Sequence, residues 1–200
     1  MVNRRGRPRS EAVRTAVLEA AAELALHGGP GAATMDAIAR RAEVSRTTIY
    51  KWWPSAAAIV LEGLLESVRE SITRPPGSTS VEAVVHHVSS LYGILADPAV
   101  GPLLRNVIAA SASDPAIERA LLDQWIIPRR AAVTEVVQDA VERGELAAGT
   151  DVEAAVDAMV TSPYYRLMFA MPALDEDAVE QMVHMVWRGC QPAGESCQPE

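Results

Sequence analysis

From about residue 10 to residue 189, apolar side chains recur at three- and four-residue spacings in alanine-rich stretches. That is the period of a helix with one buried face. No stretch shows the sustained Val, Ile or Thr alternation that marks a half-buried strand. The pattern restricts the chain to an all-α fold, and no internal repeat is visible in it. Glycine, proline and capping residues divide the helices. The first is expected over 10–27, with Ser10 as N-cap and Glu11 behind it, ending at Gly28-Gly29-Pro30-Gly31. Short helices are expected from Thr34 to about Ala42 and from Ser45 to just before Pro54. Another starts at Ser55 and carries Ile59, Val60, Leu64, Leu65, Val68 and Ile72 before the linker 75–80. Beyond the linker come 81–96, 98–110, 114–143, 151–171 and 175–189. Pro128 and Pro163 lie inside two of these, and each should kink or split its helix.

Composition narrows the class further. The 200 residues are 49% hydrophobic and 22% charged, as in an ordinary soluble globular chain of one or two domains. No apolar run approaches the roughly 18 residues that a membrane span needs. The basic N-terminus is followed by no apolar segment, so no secretory signal is read and the cytoplasm is the expected location. The formal charge of −8 argues by itself against a polyanionic partner. Split along the chain, it says something different. Residues 1–53 hold nine basic and five acidic side chains, a net of +4. The remainder holds nine basic and 21 acidic, a net of −12. A small basic head on a large acidic body points to a head that meets polyanion and a body that does not.

Within the head, short helix, tight turn and short helix form the outline of a helix-turn-helix. Ala39 is small where two helices must cross closely, and Ile38, Ala42, Val44 and Ile49 are apolar at inward positions. Thr34 caps the first short helix, with Asp36 in its first turn. Ser45 caps the second, which opens with free amides and the positive end of its dipole. The outward face of that second helix offers Arg46, Thr47, Thr48, Lys51 and Trp52. In such a unit the N-terminal residues of the second helix meet base edges in the major groove. Arg reads guanine with two bonds, and Thr bonds a base edge or touches a thymine methyl. Tyr50 and Trp53 are expected to pack their rings inward while OH and NH reach phosphates.

The run from Thr34 through Ile38, Ala39, Ala42, Val44, Ser45, Ile49, Tyr50, Trp53 and Pro54 to Ser55, preceded by His27-Gly28-Gly29, resembles the TetR/AcrR family of one-component transcriptional regulators. The resemblance is strong over about 60 residues. A weaker one lies in Pro128-Arg129-Arg130, Arg143-Gly144-Glu145-Leu146 and Pro163-Tyr164-Tyr165-Arg166, which are similar to one branch of the family's C-terminal domains. Two positions depart from the family pattern. Glu43 stands where glycine is usual in the turn, at a cost of about 1 kcal/mol if that residue is left-handed. Ala56 stands where lysine usually follows Pro-Ser, which removes one phosphate anchor, although Ser55 and the amides behind it can still hold a phosphate. The arm Arg4-Arg5-Gly6-Arg7-Pro8-Arg9 resembles the core of minor-groove AT-hooks, in which arginines enter narrow A·T grooves. The DNA-contacting set is therefore Arg5, Arg7, Arg9, Thr34, Ser45, Arg46, Thr47, Thr48, Tyr50, Lys51, Trp52 and Ser55.

The resemblance implies a flexible basic arm at 1–9, a helix-turn-helix DNA-binding domain at 10–54 and a connecting helix at 55–74. An all-helical effector-binding and dimerisation domain follows at 75–189, and residues 190–200, polar with two Pro and one Gly, read by composition as a disordered tail. It implies a palindromic duplex DNA operator bound by a homodimer, repression, and a small effector. A single unit reads too few bases, and a two-fold pair reads two half-sites. Apolar faces at Val152, Ala155, Val156, Met159 and Val160, and at Ala178, Val179, Met182, Val183 and Val186, suit a four-helix interface. They equally suit core within one subunit. Effector candidates are His86, Leu91, Tyr92, Leu95, Leu104, Ile108, Trp125, Met159, Tyr165 and Met168, a set that suits a mostly apolar ligand with one or two polar handles. The acids Asp97, Asp114, Asp151 and Asp175 sit at helix starts, where capping explains them.

Other chemistry finds little footing. His86 and His87 are adjacent, so their side chains diverge by about 100° on a helix. With His27 and His184 they show no metal-ligand spacing. Cys190 and Cys197 read as free thiols. No nucleophile constellation, phosphate loop or glycine fingerprint appears, so no catalytic residue, metal or cofactor is expected and the chain reads as no enzyme. Two rivals stay open. One is a DNA-binding dimer whose body holds no effector, and the other is an all-α carrier or enzyme, which would leave the surface from Ser45 to Trp53 without a purpose.

Overall fold

The computed structural model describes residues 7–28, 30–67, 74–98 and 100–192. These are mostly helical, with turns and short loops between the helices and no strand among them. The helices are α1 Arg7–Gly28, α2 Met35–Arg41, α3 Arg46–Trp52, α4 Ala56–Ser67, α5 Ser80–Ala96, α6 Val100–Ser111, α7 Pro115–Leu121, α8 Ile127–Glu142, α9 Val152–Val160, α10 Ser162–Met168 and α11 Glu176–Gly189. A 3-10 turn, Pro30–Ala32, follows α1, and a wide π turn, Leu122–Ile126, joins α7 to α8.

The caps explain most of these starts. Asp114, Asp151 and Asp175 each accept an amide of the first turn behind them. The carboxylate of Asp97 accepts the amide of Val100 at 3.0 Å. Thr79 and Glu82 form a reciprocal capping box on α5, and this backbone bond holds the Glu82 carboxyl below its ordinary range. Ser10 is not the N-cap that the sequence led us to expect. The first helix already starts at Arg7, with Pro8 in its first turn, where a missing N–H costs nothing. The last three residues of the expected arm are thus helical.

Pro163 separates α9 from α10 as expected, sitting in the first turn of α10. Pro128 does not split its segment. The amide of Ile127 reaches back five residues to the carbonyl of Leu122, so the ladder shifts its register just before the proline. Pro128 then lies at the opening of α8, where no intrahelical donor is required.

The chain forms two compact units, Met1–Arg69 with Asp97–Ile127, and Glu70–Ala96 with Pro128–Glu200. This division cuts across the expected body at 75–189, because α6 and α7 group with α1–α4. In the first unit α1 packs along α4, and α4 also meets α7 and the π turn. Val17, Ala21, Ile38, Ile49, Ile59, Leu61, Leu104 and Trp125 are fully or almost fully buried. At Gly63 a Cβ would stand 3.0 Å from the carbonyl oxygen of Leu18, so glycine there lets α4 lie close on α1.

In the second unit α5, α8, α9 and α11 surround one core of Val84, Val88, Val133, Val137, Leu146, Val156, Met159, Val183 and Trp187. Gly144, with φ of 74°, ends α8 in the left-handed region, and Leu146 then folds back into the core. The helix faces expected at a dimer interface are largely consumed here. Ala155, Val156, Met159, Val179 and Val183 are buried within their own unit.

Candidate nucleic-acid interface

The reading head is set by two side-chain caps and one strained residue. Thr34 Oγ1 accepts the amide of Ala37 at 3.1 Å and starts α2. At the far end Val44 donates to the carbonyl of Ala39 at 3.0 Å, and Glu43 has φ of 55°. The turn is therefore the left-handed one, taken here without glycine. Ser45 follows in extended conformation, its hydroxyl accepting the amide of Thr48 at 3.2 Å. Ile38 and Ile49 are fully buried between the helices, and Ala39 is 5% exposed at the crossing. Arg41 on α2 bonds Glu23 on α1 at 2.6 Å, and this bond holds the Glu23 carboxyl below its ordinary range.

This scaffold leaves one face of α3 open. Arg46, Thr47, Tyr50, Lys51 and Trp52 are exposed on it, and Thr48 is half-buried with its hydroxyl 2.8 Å from Ser45 Oγ. The guanidinium of Arg46 reaches back to Asp36 on α2 at 2.6 Å. Tyr50 is 60% exposed, so its ring does not pack inward as expected. Trp53 does pack inward, but its indole N–H donates to Glu62 on α4 at 2.6 Å and is not directed at a phosphate. The second departure follows from α4, whose carboxylate takes the buried indole. Ser55 accepts the amide of Ala58 at 3.2 Å and so starts α4. The predicted Arg5 lies outside the described residues, as do the side chains of Arg7 and Arg9.

Sequence reasoning missed Glu62 and Arg14. The Arg14 Nε donates to Glu62 Oε1 at 2.9 Å, so one carboxylate joins α1, α4 and the end of α3. No periodicity signals such a bond, because the partners lie 48 residues apart.

Residues 17–62 match the family model described as bacterial regulatory proteins, tetR family, and residues 75–186 match the tetracyclin repressor-like C-terminal domain. The chain belongs to the TetR family of transcriptional regulators. It is 31% identical to the HTH-type transcriptional regulator YdeS of Bacillus subtilis over 191 residues, 96% of each chain. It is 27% identical to the HTH-type transcriptional regulator Mb1581 of Mycobacterium bovis over 153 residues, 75% of this chain and 73% of the relative. The crystal structure of the TetR family transcription regulator SCO0332 superposes with a TM-score of 0.78 at 29% identity, over 90% of this chain and 99% of that one. In this TetR-family chain the helix-turn-helix is the DNA-binding element.

The predicted effector residues do not come together in one unit. Leu104, Ile108 and Trp125 lie in the first unit, and His86, Leu91, Tyr92, Leu95, Met159, Tyr165 and Met168 in the second. Leu104 and Trp125 are fully buried and Ile108 is half-buried. Leu91 and Leu95 are buried, Met159 is part of the core cluster, and His86 is half-buried. Tyr165 is 58% exposed and Met168 37%, so neither is enclosed within its unit. Tyr92 bonds Ser162 at 2.7 Å and lines a groove of about 290 Å³ with Ser89, Gly93, Leu174 and Val179.

His87 and Arg129 are buried in this unit, which the sequence did not signal. His87 is pushed down to about 4, first by burial and then by the charges of His86 and Arg129. Arg129 is lowered to about 10, also by burial, with Tyr164 acting in the opposite sense. Among the described residues no group of three or more His, Cys, Asp or Glu side chains could hold a metal ion. Among them, too, no helix is long and apolar enough to cross a membrane.

Proposed function

We propose that this TetR-family chain is a ligand-responsive repressor acting in the cytoplasm, which binds a palindromic operator as a homodimer and is released by a small, mostly apolar effector. The observation that carries the reading is the exposed face of α3. A Ser45-capped helix stands outward with Arg46, Thr47 and Lys51 at its polar surface, supported from behind by buried Ile38 and Ile49. Arg46 and Thr47 stand in the opening turn, the part of such a helix that reaches base edges, and Lys51 in its last turn suits a phosphate. Trp52, Tyr50, Thr34 and the hydroxyl of Ser55 border the same face as backbone contacts. Arg5, ahead of α1, adds a minor-groove contact in this reading, while Arg7 and Arg9 stand in the first turn of α1.

Two-fold association supplies a second half-site. The second unit still has apolar surface for it after its own core is filled. Met185 is 63% exposed on α11, and Met182 and Val186 are half-buried. The groove beside Tyr92 is the effector site that this reading favours, with Tyr92, Leu174 and Val179 for apolar contact and Ser89, Asp175 and Glu176 as polar handles. Release then follows from population shift, in which effector binds the conformation with the poorer head spacing.

Binding of the full chain to duplex DNA flanking its own gene, at several salt concentrations, tests the reading. One site should survive excess competitor DNA. Equal affinity for any duplex would defeat it. A compound that binds the body tightly and leaves operator affinity untouched would defeat the effector part alone.

A further inference from the structure

The recognition helix is only seven residues long, so its own length holds its direction weakly. Its start is fixed by the Ser45 cap and its middle by buried Ile49. A rod held at its start and middle can still pivot about that axis, and the fixing of its other end decides where Arg46 and Lys51 point. That other end is Trp53. Its backbone amide closes α3 on the carbonyl of Ile49, its ring is 5% exposed, and its indole N–H meets Glu62 Oε2 at 2.6 Å. The second oxygen of the same carboxylate takes Arg14 Nε at 2.9 Å. The Glu62 side chain is only 20% exposed, so water competes poorly for either bond. One carboxylate thus connects α3 to α4 and, through Arg14, to α1. Helix α4 is also the element of this unit on which α7 and the π turn lie.

We propose that Glu62 is a positioning residue for DNA recognition: through its bond to Trp53 it sets the angle at which α3 is presented. The inference rests on the reading of α3 as the base-reading helix. It differs from a purely structural role in a measurable way. A residue that only holds the fold together costs specific and non-specific DNA binding alike, in proportion to the unfolded fraction. A residue that sets an angle costs the sequence-specific part, because base-edge bonds need register and the diffuse attraction of phosphates does not.

The test uses the full chain, a duplex carrying its specific site and a random duplex of equal length. Glu62→Ala should weaken the specific site by 10- to 100-fold and the random duplex by less than about twofold, with a cooperative unfolding transition retained. Glu62→Gln keeps a carbonyl that accepts the indole N–H and should restore most of the specific affinity. Trp53→Phe keeps an aromatic ring, though a smaller one, and removes the donor, and should reproduce the loss. In the double variant the two losses should not add, because they break the same bond. Unchanged specific affinity, parallel loss on both duplexes, or additive losses would each overturn the proposal.

If the unaltered chain finds no specific site at all, the regulator reading falls first. The positioning claim is then judged by amide exchange at 49–53, which Trp53→Phe should speed at least tenfold while amides of α5 and α11 keep their rates. Unchanged exchange at 49–53 would overturn it.

Discussion

Arg46 on the recognition helix and Asp36 on the helix before it form an ion pair at 2.6 Å, with both side chains well exposed. A pair of this kind is worth about 0–1 kcal/mol, so a guanine that offers two bonds can take the guanidinium from it. Asp36 therefore parks Arg46 without locking it, and it adds a negative charge beside the face of α3 proposed to meet DNA. Asp36→Asn should leave stability within about 1 kcal/mol, strengthen binding to random duplex a few-fold and lower the ratio of specific to random affinity. Arg46→Ala should lose about 1–3 kcal/mol of discrimination at a base pair within the specific site. Competition binding with single-base operator variants measures both. Equal discrimination in wild type and Arg46→Ala would show that another side chain reads that base.

Lys51, exposed in the last turn of α3, should behave differently. Lys51→Ala is expected to weaken every duplex alike. It should reduce the slope of log affinity against log salt by about 0.9 for each phosphate that the protein no longer neutralises. A sequence-dependent loss with unchanged slope would assign Lys51 to a base instead.

Glu43 carries a φ of 55° in the turn between α2 and α3. A residue with Cβ pays about 1 kcal/mol there, and glycine does not, although glycine gives some of that back in unfolded-chain entropy. Glu43→Gly should raise stability by about 0.5–1 kcal/mol, read as a higher urea midpoint at unchanged slope. Glu43→Ala should give no such gain, since it keeps the Cβ. A gain from both variants would place the benefit in charge rather than in backbone.

His87 is 7% exposed, and burial pushes its imidazole down to about 4 from 6.5. Above pH 6.5 it is neutral in both folded and unfolded chains and adds no pH dependence. Between pH 6.5 and 4 the unfolded chain takes up a proton that the folded chain refuses, so stability falls as pH falls. The full effect is on the order of 3 kcal/mol, at about 1.4 kcal/mol per unit. Urea unfolding across this window should show the slope in the wild type and a flatter one in His87→Leu. Equal slopes would place the titration elsewhere.

The helical period, the caps and the two short helices around Glu43 were legible because each depends on residues within a few positions. Ser45 caps α3 whatever surrounds it, and Ile38 and Ile49 are apolar because one side of each helix must leave water. The long-range bonds were not legible. Nothing in spacing pairs Trp53 with Glu62, Arg14 with Glu62, or Arg46 with Asp36. The same limit explains Pro128, whose cost disappears in a π turn that sequence does not announce, and Tyr165, whose aromatic character suited a pocket that its unit does not build around it.

By itself, then, the sequence determined an all-helical chain with a basic reading head, because helix period, capping and charge are local quantities summed along the chain. Only the tertiary structure decided which polar groups satisfy one another. It grouped α6 and α7 with the head, sent the Trp53 indole to Glu62 and drew the α9 face into its own core. The physical reason is that burial is shared. A helix face is apolar in sequence whether a partner subunit, a ligand or its own neighbours will cover it, and only packing in three dimensions selects among them.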